Sequence, residues 1–357
     1  MKTKVLFLLP YPLFKAPSQR FRVEAFFPLL ESHKIEFRTD EFLDEKAWKL
    51  LYQQGSTVQK GWAVIRGFLK RLFTVLFVAP QYDYVFIHRE ASPLGPPIFE
   101  WILAMMFRKK IIFDFDDAIW IPAVSKGNKI ALYIKWFSKI STICKWAYKI
   151  SAGNEYLANW SKQFNQHVVI TPTSVDTVNR FNRLKQVNRN KMVIGWTGSH
   201  STLKYLDVIY PVLQRLEEEF AFEFLVICNQ PPSFQLKSMK FIPWQETSEI
   251  EDLLKIDIGV MPLLADAWSE GKCGFKIIQY LALGIPAVAS PVGVNKDIVE
   301  DGRNGYLCST EKEWYVALKR LLGDSLLRGE MGMKGREKIV KEYSVQANAD
   351  NLLSFFK

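Results

Sequence analysis

Residues 256–294 read IDIGVMPLLADAWSEGKCGFKIIQYLALGIPAVASPVGV. An apolar run, 256–263, leads into a polar loop with two glycines and two lysines. A short helix pattern follows, stopped by Gly284, and then a second apolar run, 286–290. Runs this apolar suit strands buried on both faces, as in a parallel sheet, and a helix between two of them makes a βαβ unit. The loop and helix start then lie at the carboxyl end of the first strand, where open α/β sheets hold ligands. Gly271 and Gly274 let backbone approach a bound group, and Lys272 and Lys276 near a helix N-terminus favour an anion such as a diphosphate. Lys276 and Gln279 are three apart and share a helix face.

The same alternation runs through the rest of the chain. Strands are expected at 4–9, 35–38, 84–88, 110–114, 149–152 and 168–171, with helical patterns at 19–32, through 79 and over 129–148. After a polar, basic stretch at 176–191 the pattern restarts, with strands at 191–195, 222–228 and 240–242 and helices at 202–219 and 249–255. Strands alternating with helices argue for doubly wound parallel sheets. A length of 357 residues suits two domains, placed here at 1–180 and 181–343, with a last helix at 344–357.

At 48% hydrophobic and 24% charged the chain is not disordered. Its apolar runs fall short of the ~20 residues a membrane span needs. The opening MKTKVLFLLPYPLF mimics a leader, but Pro10 and Pro12 close its apolar run, so it reads as a first strand. The four cysteines are scattered, without zinc or redox spacing, which fits a reducing compartment, and the four histidines form no metal motif.

Charge is uneven. Residues 1–185 hold 27 Lys and Arg against 15 Asp and Glu, and the remainder holds 20 against 22. The basic half suits a polyanion, a membrane surface or an anionic acceptor. Between Asp117 and Glu155 stand six lysines and no acid. On a helical wheel Ile130, Tyr133, Phe137, Ile140 and Cys144 share one side, and Lys135, Lys139, Lys145 and Lys149 gather on the other with Trp146. Residues 60–80 are similar, with Lys60, Arg66, Lys70 and Arg71 beside several aromatics. This pattern favours peripheral contact with an anionic bilayer.

Further candidates cluster at strand ends of the first half. Asp114, Asp116 and Asp117 suit a hard cation, a helix cap or a sugar contact. His88, Arg89 and Glu90 end another strand on the same rim. Arg20 and Arg22 follow Pro17-Ser18 in the first strand–helix loop and suit acceptor contacts or surface salt bridges. His200 suits a cap.

Two such halves, with a ligand-binding βαβ in the second, make the chain resemble the GT-B glycosyltransferases, and more narrowly glycosyltransferase family 4 (glycosyl transferases group 1). The resemblance rests on Gly274, Gln279 and the GIPAVAS run at 284–290. It extends to Pro291-Val292-Gly293, to DGRNGYL at 301–307 and to PTSVD at 172–176. The family's two glutamates stand eight apart. Here Gln279 takes the second place, and Gly271, beside Glu270, takes the first. Lys204 stands for the family's lysine, and GWTGS at 195–199 lies where its arginine is found. The chain is similar to a subgroup carrying GWTGS and GKCGFK.

The resemblance implies two Rossmann-like doubly wound domains facing a cleft, with the last helix crossing back to the first domain. It implies transfer of a sugar from a UDP- or GDP-sugar to a glycan or lipid-linked acceptor in cell-surface polysaccharide synthesis. Transfer would proceed with retention, without a metal or other cofactor, at the inner face of the cell membrane. Lys272 and Lys276 would hold the phosphates, Gly198 and Ser199 would donate from the backbone, and Lys204 would be a third cation. Glu270 would face the donor sugar and Gln279 the ribose, with Gly274, Phe275 and Asn295 completing the donor site. Glu270, Lys276, Asp116 and Asp117 would form the catalytic set, and Arg20, Arg22, His88 and Arg89 would bind the acceptor. No nucleophile–base pair is visible, and in such enzymes the departing phosphate itself takes the acceptor's proton. The rival readings are a sugar-nucleotide 2-epimerase and a non-catalytic anion or nucleic-acid binder. No nucleic-acid-binding motif is present, so nucleic acid is not an expected partner.

Overall fold

A computed structural model describes residues 2–51, 55–122, 134–186 and 191–357. The chain divides into two units, Met1–Thr173 with Asn348–Lys357, and Ser174–Ala347. The division falls inside the PTSVD segment, several residues before the expected boundary at 180. From Ser174 onward the chain is held by the second unit. Val175 bridges Ser344, and Arg336 binds the Phe181 and Thr177 carbonyls.

In the first unit β1 (Lys4–Leu9), β2 (Glu36–Glu41), β3 (Tyr84–His88), β4 (Lys110–Phe115), β5 (Lys149–Ala152) and β6 (Val168–Ile170) form one parallel sheet, in the order β2-β1-β3-β4-β5-β6. The inner strands KVLFLL, YVFIH and KIIFDF are almost wholly buried, so they carry no polar alternation. The edge strand β2, EFRTDE, is charged, which protects its unpaired side. The last segment, Ala349–Leu353 with a turn at Ser354–Phe356, belongs to this unit. The Phe356 ring sits 5.6 Å from Tyr84, and Lys149 donates to the Ser354 carbonyl at 2.6 Å.

In the second unit β7 (Met192–Gly198), β8 (Phe222–Cys228), β9 (Met239–Pro243), β10 (Ile258–Met261), β11 (Ala287–Ala289) and β12 (Gly305–Leu307) form a second parallel sheet, in the order β12-β11-β10-β7-β8-β9. Right-handed crossovers put connections running in opposite directions on opposite faces of a sheet. The direction reverses between β1 and β3 in the first sheet and between β7 and β10 in the second. Loops part at those two points and leave a crevice at the carboxyl ends.

Three expected helices are broken. The 19–32 pattern splits into Pro17–Arg22, a 3-10 turn at Glu24–Phe26 and Phe27–Ser32, with Val23 off helical geometry and Pro28 opening the last piece. The 202–219 pattern becomes a 3-10 segment, His200–Val208, and a helix, Tyr210–Glu219, because Pro211 suits only a first turn. Of the 129–148 pattern, residues 129–133 (Ile130 and Tyr133 included) lie outside the described residues. Trp136 has φ of 52°, and the remaining helix is Lys139–Trp146. Its basic side loses Lys139, which is buried against Glu90 at 2.8 Å and donates to the Ser92 carbonyl at 2.7 Å.

The helix Phe275–Ala282 is stopped by Gly284 at φ of 73°, as its sequence predicts. It is locked on the sheet by Tyr280, whose ring lies over β10 and whose hydroxyl accepts the Thr197 N–H of β7 at 3.0 Å. A Cβ on Gly259 would stand 2.2 Å from that ring. Gly259→Ala is therefore expected to destabilise the protein by ~1–3 kcal/mol through overpacking. Urea unfolding at pH 7 tests this, and an unchanged midpoint contradicts it.

Candidate functional site

The second unit gathers most of the expected donor residues at the β7/β10 crevice. Gly198 ends β7, and a Cβ there would meet the Trp196 ring at 2.5 Å and Thr202 Oγ1 at 2.9 Å. Ser199 and His200 follow, exposed. The loop is fixed by His200 N–H donating to Asn229 Oδ1 at 2.9 Å and by Thr202 donating to the Ser199 carbonyl. On the other side of the crevice Asp266 caps a short turn, Ala267–Glu270, by accepting from Ser269 N at 2.7 Å. Ser269 Oγ donates to Tyr205 Oη at 3.3 Å, tying the two walls together.

Lys276, in the first turn of the Phe275–Ala282 helix, reaches back over this rim. Its ammonium lies 5.4 Å from the Trp196 ring centre. Burial pushes the thiol of Cys228, the last residue of β8, upward, and the Lys276 charge partly offsets that rise. Lys272 sits 5.1 Å from the Trp268 ring, and Lys204, exposed, 5.2 Å from the Tyr205 ring. Three cations thus stand around one helix N-terminus and one strand end, a field that favours an anion. Gly274 opens the helix at φ of 64°, where a Cβ would meet Ile298 at 2.2 Å. Phe275 beside it is half-buried.

Three of the expected donor-site residues are tied into the protein itself. Asn295 is fully buried behind Gly274 and donates to the Ser290 carbonyl at 3.0 Å, so it supports the loop. Glu270 accepts the Gly293 N–H at 3.0 Å, which commits one carboxylate oxygen to joining the loops after β10 and β11. Gln279 is 3% exposed, on a buried side of the helix from which Lys276 emerges.

The first unit builds a polar network at its own crevice. His88 and Asp114, at the ends of β3 and β4, are both fully buried. His88 Nδ1 donates to Asp114 Oδ2 at 2.7 Å, since a carboxylate only accepts. Nε2 lies 2.9 Å from Ser18 Oγ. Ser151 donates to Asp114 Oδ1 at 2.6 Å, and Arg22 pairs with the same carboxylate while donating to Ser151 and to the Thr171 carbonyl. Arg22 is thus a buried strut and not an acceptor contact. Arg20 is 4% exposed, with its guanidinium over the Phe21 ring, and is likewise not open to an acceptor.

Arg89 adopts φ of 63°, an uncommon conformation for a side-chain-bearing residue and one that recurs at functional sites. The turn lets it clamp Asp116 at 2.7 Å and Asp117 at 2.6 Å and donate to Ser18 at 3.2 Å. Burial opposes ionisation of Asp116, but Arg89, His88, Arg22 and a hydrogen bond from Ser18 together outweigh it and hold the carboxyl well below its usual range. Asp116 and Asp117 remain 12% and 15% exposed, and Arg89 22%. No group of three or more His, Cys, Asp or Glu that could hold a metal ion occurs among the described residues.

Ser18, Ser151, Tyr205, Asn229 and Tyr280 were not singled out in the sequence. Gly259 within an apolar strand was the available signal for Tyr280, since a strand glycine marks close approach. Nothing local marks the serines.

Burial likewise opposes ionisation of Asp114, and Arg22 and His88 together hold its carboxyl below the ordinary value. A group depressed in the folded state contributes stability above its unfolded pKa of about 3.9, lost as pH falls through the folded value. Asp114→Asn breaks the buried pair and is expected to cost ~3–5 kcal/mol at pH 7 in urea unfolding. The gap from the wild type narrows below pH of about 4. Equal midpoints at pH 7 contradict the pairing.

Comparison with known proteins agrees with this layout. Residues 191–324 match the family model described as Glycosyl transferases group 1. Spore coat protein SA of Bacillus subtilis (strain 168) is 30% identical over 82 residues, 22% of each chain. The chain matches about a fifth of the length of its curated relatives. Sucrose-phosphate synthase from Thermosynechococcus elongatus superposes with a TM-score of 0.70 at 12% identity, covering 100% of this chain and 98% of that one. Anabaena Alr3699/HepE in complex with UDP-glucose gives 0.67 at 14% identity, covering 98% and 99%. The chain therefore has the GT-B fold and carries a Glycosyl transferases group 1 domain in its second unit.

Proposed function

We propose that this protein is a glycosyltransferase moving a sugar from a UDP- or GDP-sugar to a glycan or lipid-linked acceptor in cell-surface polysaccharide synthesis. Transfer proceeds with retention and without a metal, and the protein works at the cytoplasmic face of the membrane. The observation that carries the reading is Lys276, whose ammonium stands over Trp196 at the carboxyl end of β7, beside the helix opened by Gly274. The matched family model covers this segment, and the HepE neighbour was solved with UDP-glucose.

Charge builds on the diphosphate as the donor's glycosidic bond breaks, and fixed cations and a helix dipole stabilise it. Lys276 and Lys272 take the phosphates, Gly198 and Ser199 offer backbone, and Lys204 adds long-range attraction. Glu270 has one oxygen left for a donor hydroxyl, and Gln279 lies beneath the ribose. In the first unit Asp116, Asp117 and Arg89 are the partly open groups that receive acceptor or sugar hydroxyls. The buried His88–Asp114 pair acts through Ser18, orienting its hydroxyl.

Lys276→Ala removes one charge-assisted hydrogen bond, a loss of ~1.5–3 kcal/mol. The expected result is UDP or GDP affinity weakened about 10- to 150-fold by calorimetry. Sugar transfer from a donor panel should fall with it. Undiminished affinity and turnover in that variant contradict the phosphate assignment.

A further inference from the structure

One helix of the first unit is apolar on both of its long faces. Thr57–Phe73 runs on into a wider turn, Thr74–Val78. Its inner face is packed. Phe68 lies 5.3 Å from the Phe42 ring and 5.8 Å from the Phe99 ring, and a Cβ on Gly67 would stand 2.7 Å from Phe42. Arg71 is fully buried, 3.3 Å from Asp40 and donating to the Leu9 carbonyl at 2.8 Å, while Thr74 donates to Asp40 at 2.8 Å. These contacts fix the helix's rotation.

The outer face carries Val58, Trp62, Ile65, Leu69, Phe73 and Phe77, spaced three and four apart and 48–76% exposed. The neighbouring helix, Ile98–Trp101 continuing through Ile102–Met106, adds Ile98, Trp101, Met105 and Met106 at 46–58%. Both lie in crossovers running the same way across the sheet, β2 to β3 and β3 to β4, so they cover the same face. Single exposed apolar residues are ordinary, but two rows at helical spacing on adjacent helices mark a contact surface.

We infer that this double ridge is the surface by which the protein lies on an anionic lipid bilayer. The inference rests on the membrane part of the proposed function; of the two segments that the sequence offered it keeps 60–80, now as an apolar ridge joined by the neighbouring helix, and leaves the lysines of 135–149, where Lys139 is buried in an ion pair. Charge selects the occupant. The first unit holds 25 Lys and Arg against 15 Asp and Glu, the second 22 against 22, so the whole formal charge of +10 lies on the unit with the ridge. A second copy would bring like charge to the same face, whereas anionic headgroups bring the opposite one. Arg66, its side chain 75% exposed and 3.3 Å from Asp44, and Lys70, 3.6 Å from Glu41, flank the ridge as partly exposed ion pairs, and Trp62 and Trp101 suit the headgroup boundary. No described helix is long and apolar enough to cross a membrane, so the contact is with the surface.

The test is vesicle flotation with phosphatidylglycerol–phosphatidylcholine and pure phosphatidylcholine liposomes. It compares the wild type with the triple variant Trp62→Glu, Leu69→Glu, Phe73→Glu and with a milder pair, Trp62→Ser, Phe73→Ser. The expected result is wild-type binding to the anionic vesicles, reduced roughly tenfold or more in the triple variant and less in the pair, with thermal unfolding little changed. Flotation that survives both variants overturns the inference, as does absence of flotation in the wild type. Ridge-dependent dimerisation without vesicles, seen by ultracentrifugation, overturns it in favour of a second copy. UDP calorimetry on the same preparations keeps the readings apart: intact UDP binding with no flotation defeats only the membrane contact, and flotation without UDP binding defeats only the donor site.

Discussion

The handedness of the crossover between parallel strands governs where chemistry gathers in this protein. Each sheet begins with an interior strand and then extends to both sides, so its connections must divide between the two faces. At the division, loops separate and expose strand ends, and the chain has concentrated its uncommon residues there. Trp196, Gly198 and Lys276 meet at one such point, and Ser18, His88, Arg89 and Asp114 at the other. Neither group is close in sequence. The topology assembles both.

The two crevices solve different electrostatic problems. In the second unit, Lys204, Lys272 and Lys276 stand over aromatic rings, an arrangement that holds cations near the rim. In the first unit three carboxylates are offset by two guanidiniums, and burial makes that pairing obligatory, because an unpaired buried charge costs several kcal/mol. Arg22 and Asp114 are thus the foundation, while Arg89, Asp116 and Asp117 form the open layer above them.

Much of this was legible in the sequence, for physical reasons. Strands buried on both faces are continuously apolar, so β3, β5 and β8 were read to the residue, and the loop from Ser269 to Gly274 announced itself by its glycines and Lys272. Helix continuity was less legible, since Pro28, Pro211 and the left-handed Trp136 interrupt patterns whose periodicity looks unbroken. Burial of polar side chains was the least legible. Arg22, Lys139 and Asn295 look like surface groups until the fold supplies Asp114, Glu90 and the Ser290 carbonyl as partners. The 60–80 segment was read as a bilayer contact from its cations and aromatics, but which of its apolar residues face outward was not legible, because an apolar residue at helical spacing reads as core whichever side of the helix it is on.

The central claim is that the β7/β10 crevice of the second unit binds the diphosphate of a nucleotide-sugar. A crystal structure of the protein with UDP tests it most directly. The account predicts phosphate oxygens within hydrogen-bonding distance of Lys276 Nζ, next to the Gly198–Ser199 backbone and the helix opened by Gly274. A diphosphate bound elsewhere, with Lys276 still lying over Trp196 and touching no ligand, would contradict it.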